Sequence, residues 1–309
     1  MQDPLDELTT APRIPIAAAV RRARADIRAA VADALAVPDE ALERPWRWRA
    51  GDPHDLDARY GLYRLHERLE EAIAAVARRR ASDGGDPAGP GVELLAASGT
   101  ARWELHGALA GLSATDWDAD PGGGEWTVRR TLGHVVASQR SYGWTNAWFL
   151  TRADLPDAGE YAPDGALPPE PDEVAAGAGA PAEVLATLDR LIDQSIECLA
   201  GVDAPALAVR ARWSGVPVTF EFRLVRLGSH LREHTIQVDK TWVMLGRPVR
   251  EVERIARLVL GSYGRLEALV VGRPESPIGP DLEIVEAAAR DAAATAADVR
   301  ASVAGQSSA

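Results

Sequence analysis

Eight positions in the last third of the chain constrain what it can fold into. Leu227, His230, Leu231, His234, Val238, Thr241, Trp242 and Leu245 recur at spacings of three and four, the period of a helix that turns one face inward. The stripe predicts a helix over 219–245, stopped by Gly246 and Pro248, because glycine ends helices readily and proline cannot continue them. The same period, interrupted at Gly and Pro, predicts further helices over 14–36, 57–80, 92–113, 127–151, 182–200, 250–271 and 281–303. Asp57 is placed to cap the second of these. Leu207 to Trp213 and Val216 to Phe222 alternate instead around Ser214-Gly215, which predicts a short β-hairpin. The expected class is all-α: a four-helix bundle with a small β-hairpin insertion and additional N- and C-terminal helices.

Punctuation sets the expected boundaries. Ala81 to Gly91 is rich in Gly, Pro and Asp and cannot build a core. Residues 153–182 are rich in Pro, Gly, Ala and acidic groups and read as a long crossover able to cover a pocket. We therefore expect an N-terminal helical pair over 1–80, a four-helix unit over 92–248 and a helical extension over 249–309. The outer helices are candidates for a lid, for bracing or for self-association into a homo-oligomer.

Composition narrows the function. A formal charge of −12 disfavours nucleic acid, whose binding needs Lys and Arg at the phosphates. Lys240 is the single lysine. The arginines between Arg21 and Arg28 are interleaved with Ala, Asp26 and Ile27, as on a solvated helix face. No apolar run approaches the roughly 20 residues needed to span a bilayer, and the residues after Met1 do not read as a secretory leader. Cys198 is the only cysteine, so neither an internal disulfide nor a thiolate zinc cluster can form. It sits in a helical pattern as a small buried hydrophobe, and the expected compartment is reducing and cytoplasmic.

Both histidines of the 219–245 stripe face inward, four residues apart, where their rings lie in successive turns of one face. Two imidazoles in one core stripe are hard to satisfy with backbone groups already used by the helix, and a shared metal ion resolves that problem for both. His134 lies on a stripe of Thr127, Thr131, Ser138, Ser141 and Thr145 beside the apolar arc of its own helix, as a polar cavity wall requires. Three imidazoles with one position open is the pattern of catalytic rather than structural zinc. His134, His230 and His234 are therefore the expected ligands of a divalent metal, zinc first, with nickel or another ion that accepts imidazole as alternatives. Ser138, Trp148 and Leu227 are expected in the pocket wall, and Glu233 and Gln237 behind the ligands. His66, which follows Trp48 as His134 follows Trp126, echoes the arrangement at a different spacing and reads as a structural or surface histidine.

Trp126-Thr127 followed by His134, together with His230, His234 and the trailing Gln237, resembles the DinB-like family of four-helix-bundle metalloproteins. The resemblance covers about residues 92–248. It implies a DinB-type bundle, a divalent ion on the three histidines and, as in mycothiol- or bacillithiol-dependent transferases and maleylpyruvate isomerases of that family, a low-molecular-weight thiol as cosubstrate. Many members carry an acidic residue shortly after the tryptophan, whereas this chain has Arg129 and Arg130. Helix capping and the thiol-binding surface are expected to differ accordingly.

His230-Leu231-Arg232-Glu233-His234 also spells H-x-x-E-H, the motif of inverted zinc peptidases, with Glu233 as base and Glu267, Glu283 or Glu286 as third ligand. The leading expectation is a metal-dependent thiol S-transferase or isomerase acting on a small electrophilic molecule. Its alternatives are a hydrolase using metal-bound hydroxide and a non-catalytic metal-binding scaffold.

Overall fold

The computed structural model describes residues 13–48, 54–83, 88–151, 162 and 164–305. Among these, eleven helices and two small hairpins follow in the order α1 (Ala18–Leu35), β1 (Pro45–Trp46), β2 (Leu56–Asp57), α2 (Ala58–Ser82), α3 (Pro90–Leu109), α4 (Ala114–Asp118), α5 (Val128–Leu150), α6 (Glu173–Ala176), α7 (Pro181–Leu199), α8 (Ala204–Leu207), β3 (Arg210–Trp213), β4 (Val216–Thr219), α9 (Phe220–Met244), α10 (Glu251–Ala268) and α11 (Glu275–Gly305). The class is all-α with a small hairpin insertion.

The helix starts are built by local chemistry. Asp57 Oδ1 accepts from Tyr60 N at 2.7 Å to cap α2, Thr127 Oγ1 accepts from Arg130 N at 3.1 Å at the head of α5, and Thr219 Oγ1 accepts from Phe222 N at the head of α9. Each bond satisfies an amide that has no partner inside the helix. The β3–β4 ladder pairs Arg210 with Thr219 and Trp213 with Val216. Ser214 and Gly215 close it with φ of 47° and 82°, the double-positive turn whose twist matches a two-residue hairpin. Both strands are shorter than the alternation suggested, because Leu207 ends a short helix and Phe220 already begins α9.

Four helices, α3, α5, α7 and α9, pack as a ring in which α9 lies against α3 and α5, and α7 closes the other side. The α9–α3 seam is close: a Cβ on Gly228 would stand 3.1 Å from the backbone of Ala97 and Ser98. The first two long helices and the last two pack on one another in the same manner, α11 against α1 and α2, and α10 against α1, α2 and α3. Apolar side chains from every layer, among them Ile27, Leu62, Leu69, Trp103, Leu132, Leu188, Leu231, Val259 and Val285, are buried.

Candidate metal centre

His134 sits in the second turn of α5, and His230 and His234 occupy successive turns of α9. These helices are neighbours in the bundle, so the three rings meet between them. His134 Nε2 stands 3.3 Å from His230 Nε2, His234 Nε2 stands 3.0 Å from the same atom, and ligand atoms from all three lie within 4.8 Å of one another. Imidazole nitrogens about 2.0–2.1 Å from a tetrahedral ion are about 3.3 Å apart, so the spacing suits one shared ion.

The outward nitrogens are already committed on two of the rings. His134 Nδ1 meets Glu173 Oε1 at 2.7 Å, and His234 Nδ1 meets Gln237 Oε1 at 2.7 Å. A carboxylate or amide oxygen there selects the tautomer with hydrogen on Nδ1, leaving the Nε2 lone pairs directed inward. His230, only 4% exposed, has no hydrogen-bond partner on its Nδ1. Whichever nitrogen of that ring carries its hydrogen, at most one proton serves three convergent Nε2 atoms, and a cation satisfies the remainder. Burial, then the neighbouring His234 and His134, pull the His230 pKa down to about 3. Burial also lowers that of His234, against the bond from Gln237. These two rings are therefore neutral at pH 7, the form that binds metal.

Local structure positions the carboxylate. Asp172 caps the single turn of α6 through the amides of Val174 and Ala175, and that turn lies directly on α5. A Cβ on Gly133 would come 2.3 Å from the Glu173 carbonyl oxygen and 3.1 Å from Gly177, so the residue before His134 must be glycine for α6 to reach it. Arg129 holds the far end of the turn, donating to the carbonyls of Gly177 and Gly179 at 2.8 Å while pairing with Asp118. The arginine at residue 129 thus has a structural use here. Arg130 lies over the Trp126 ring, which itself packs edge-on against His134.

The remaining sequence candidates fall in different places. Ser138 Oγ is 3.5 Å from His134 Nε2, and Leu227 is buried one turn before His230, its carbonyl accepting from Gln139. Trp148 does not border the histidines: fourteen residues beyond His134, it lies about 21 Å further along α5, buried edge-on against Phe149. Glu233 pairs outward with Arg226. Glu267 is sequestered by Arg24 and Arg102, and Glu286 by Arg22, so neither supplies the third ligand that the peptidase motif needs. His66 Nδ1 meets Ser262 Oγ at 2.7 Å on the α2–α10 side. Cys198 is buried.

Two residues not anticipated from the sequence adjoin the cluster. Tyr142, two turns after His134, packs edge-on against His230 with ring centroids 5.2 Å apart, and against Trp213 of β3 at 5.0 Å. Tyr142 stood in the apolar arc of its helix, and Trp213 in the hairpin, with no spacing that tied either to the histidines. A cavity of about 820 Å³ lies elsewhere, lined by Arg24, Val31, Trp103, Leu185 and Asp189.

A four-helix bundle that brings three imidazoles to one point, two of them braced from behind, defines a bundle protein with a site able to hold a metal ion. Residues 98–238, a little under half of the chain, match the model of the DinB superfamily, and this segment contains all three histidines. No curated protein and no solved structure matches the chain.

Proposed function

We propose that the protein is a divalent-metal-dependent enzyme that activates a low-molecular-weight thiol, mycothiol-like, for transfer to a small electrophilic molecule or for its isomerisation. The observation that carries this reading is the convergence of three Nε2 atoms whose outward nitrogens are braced by Glu173 and Gln237 on two of the rings. A divalent ion on those atoms, zinc in the first instance, would supply a Lewis acid that favours thiolate, the nucleophilic form, over thiol. The chain's own part is positional. His134, His230 and His234 would hold the ion, Glu173 and Gln237 fix two of the rings, and Trp126, Tyr142 and Trp213 pack beside the cluster as an aromatic wall. A reducing cytoplasmic setting, with a small thiol and a small molecule as partners and no nucleic acid or membrane, accompanies this reading.

Metal content in the three single His→Ala variants tests the ligand set, with loss expected in each. Thiol-dependent consumption of an electrophile panel by zinc- or nickel-loaded protein tests the chemistry. Full occupancy in His134→Ala would remove that residue from the set, and ester or amide turnover without thiol would favour hydrolysis instead.

A further inference from the structure

Four arginines are buried among the described residues: Arg24, Arg64, Arg102 and Arg223. Three are paired with carboxylates, Arg24 and Arg102 with Glu267 and Asp193, and Arg64 with Glu67. Arg223 is the exception. Its Nε donates to Asn146 Oδ1 at 3.1 Å and its Nη1 to the Arg212 carbonyl at 2.7 Å, both neutral acceptors, and no carboxylate among the described residues pairs with it. A guanidinium carries five N–H groups, so three remain for a ligand. Burial without a counter-charge draws its pKa down to about 10, and desolvating an unpaired cation is among the more costly arrangements a fold can hold.

Its position gives the arrangement a use. Arg223 shares the inward face of α9 with His230, two turns and about 10 Å away along the axis. Its partner Asn146 stands one turn beyond Tyr142 on α5, and the Asn146 Nδ2 is itself buried and without a partner. Between the arginine and the histidines lie Tyr142, which touches His230, and Trp213, whose ring the Arg223 guanidinium faces at 5.4 Å. Arg226 lies over that same ring, yet it is tied to Glu233. A row of aromatic contacts thus links the histidine cluster to a cation that no carboxylate among the described residues pairs with.

We propose that Arg223 receives a carboxylate carried by the molecule that binds at the histidine cluster, so that this site selects anionic substrates. The inference rests on reading the cluster as a thiol-handling metal centre and adds the recognition element at its other end. An aliphatic thiol bearing a terminal carboxylate spans both ends. A separate small carboxylate beside a neutral thiol supplies the same chemistry from a second molecule.

The test uses cobalt-loaded protein, whose thiolate-to-cobalt absorption reports coordination directly. Mercaptoalkanoic acids of increasing chain length are titrated against mercaptoalcohols of equal length. At one length the acid is expected to bind at least tenfold more tightly than the alcohol. Arg223→Gln is expected to abolish that advantage while leaving the alcohol's affinity and the cobalt content unchanged. Repeating the alcohol titration with plain alkanoates present identifies the second source, because a carboxylate on a separate molecule would tighten neutral-thiol binding in the wild type and not in the variant. Equal binding of acids and alcohols at every length, with no effect of alkanoates, overturns the proposal in the wild-type protein alone, whatever the folding of the variant. Retention of the acid preference in Arg223→Gln overturns it equally. If no thiol produces the absorption band, the thiol reading falls, and alkanoate against alkanol binding to the metal-free protein, followed by calorimetry, still decides the role of the arginine.

Discussion

Glu173 shows how one carboxylate can set the chemistry of a ligand it does not replace. By accepting from His134 Nδ1 it holds the ring in the metal-ready tautomer and orientation. Glu173→Ala should therefore weaken zinc binding by roughly 10–100-fold, measured by competition with a chromophoric chelator, with loss smaller than in His134→Ala. His230 gives a second prediction in the metal-free protein. Its folded pKa of about 3 lies below the ordinary histidine value of 6.5, so between these limits the unfolded chain binds the proton that the folded chain refuses. Stability then rises with pH across that window and falls as pH drops through it, by a few kcal/mol, on the order expected for a shift of this size. Denaturant titrations from pH 7 to pH 4 should show a shallower acid loss in His230→Gln than in the parent.

At the scale of elements, α6 is the piece that the sequence concealed. Pro171-Asp172-Glu173 is a serviceable helix start, but one turn carries no periodic signal, and its Pro- and Gly-rich surroundings read as crossover. The long helices were legible because their apolar stripes span many turns, and the histidine trio because two of its members share one stripe. The hairpin turn was legible from Ser214-Gly215, whereas the approach of Tyr142 and Trp213 to His230 depends on tertiary packing that no local spacing encodes. The docking of α6 rests on Gly133, where a methyl group would collide with the Glu173 carbonyl. Gly133→Ala should lose about 1–3 kcal/mol by overpacking and carry Glu173 away from His134. Its zinc affinity should fall to the level of Glu173→Ala, with no further loss in the double variant; an additive loss in the chelator assay would show that α6 stays in place.

Across the whole molecule, the outer helices are joined to the four-helix bundle by buried charge. Arg24 of α1 and Arg102 of α3 both bind Glu267 of α10 and Asp193 of α7, so one network draws on all four helices and fixes α1 and α10 against α3 and α7. Glu267 is fully buried, and although burial alone would raise its pKa, Arg24 and Arg102 hold it down to about 2. Its contribution is therefore present above the ordinary carboxylate value of 4.5 and is lost as pH falls from there towards 2. Removing Glu267 leaves two buried guanidinium groups sharing Asp193, and breaking a buried charge network by removing one partner typically loses about 3–5 kcal/mol. Glu267→Gln should accordingly lower the denaturation midpoint substantially at pH 7 and much less near pH 3, where the parent has begun to lose the same interaction. Replacing Glu267 and Arg102 together by Gln and Met should recover part of the loss, because Asp193 then pairs with Arg24 alone. A single-variant deficit that stayed constant from pH 7 to pH 3 would place the effect in packing rather than charge. The histidine centre, whose three histidines and their bracing residues come from α5, α6 and α9, should keep its zinc affinity in Glu267→Gln while the protein remains folded, which separates what binds the metal from what joins the bundles.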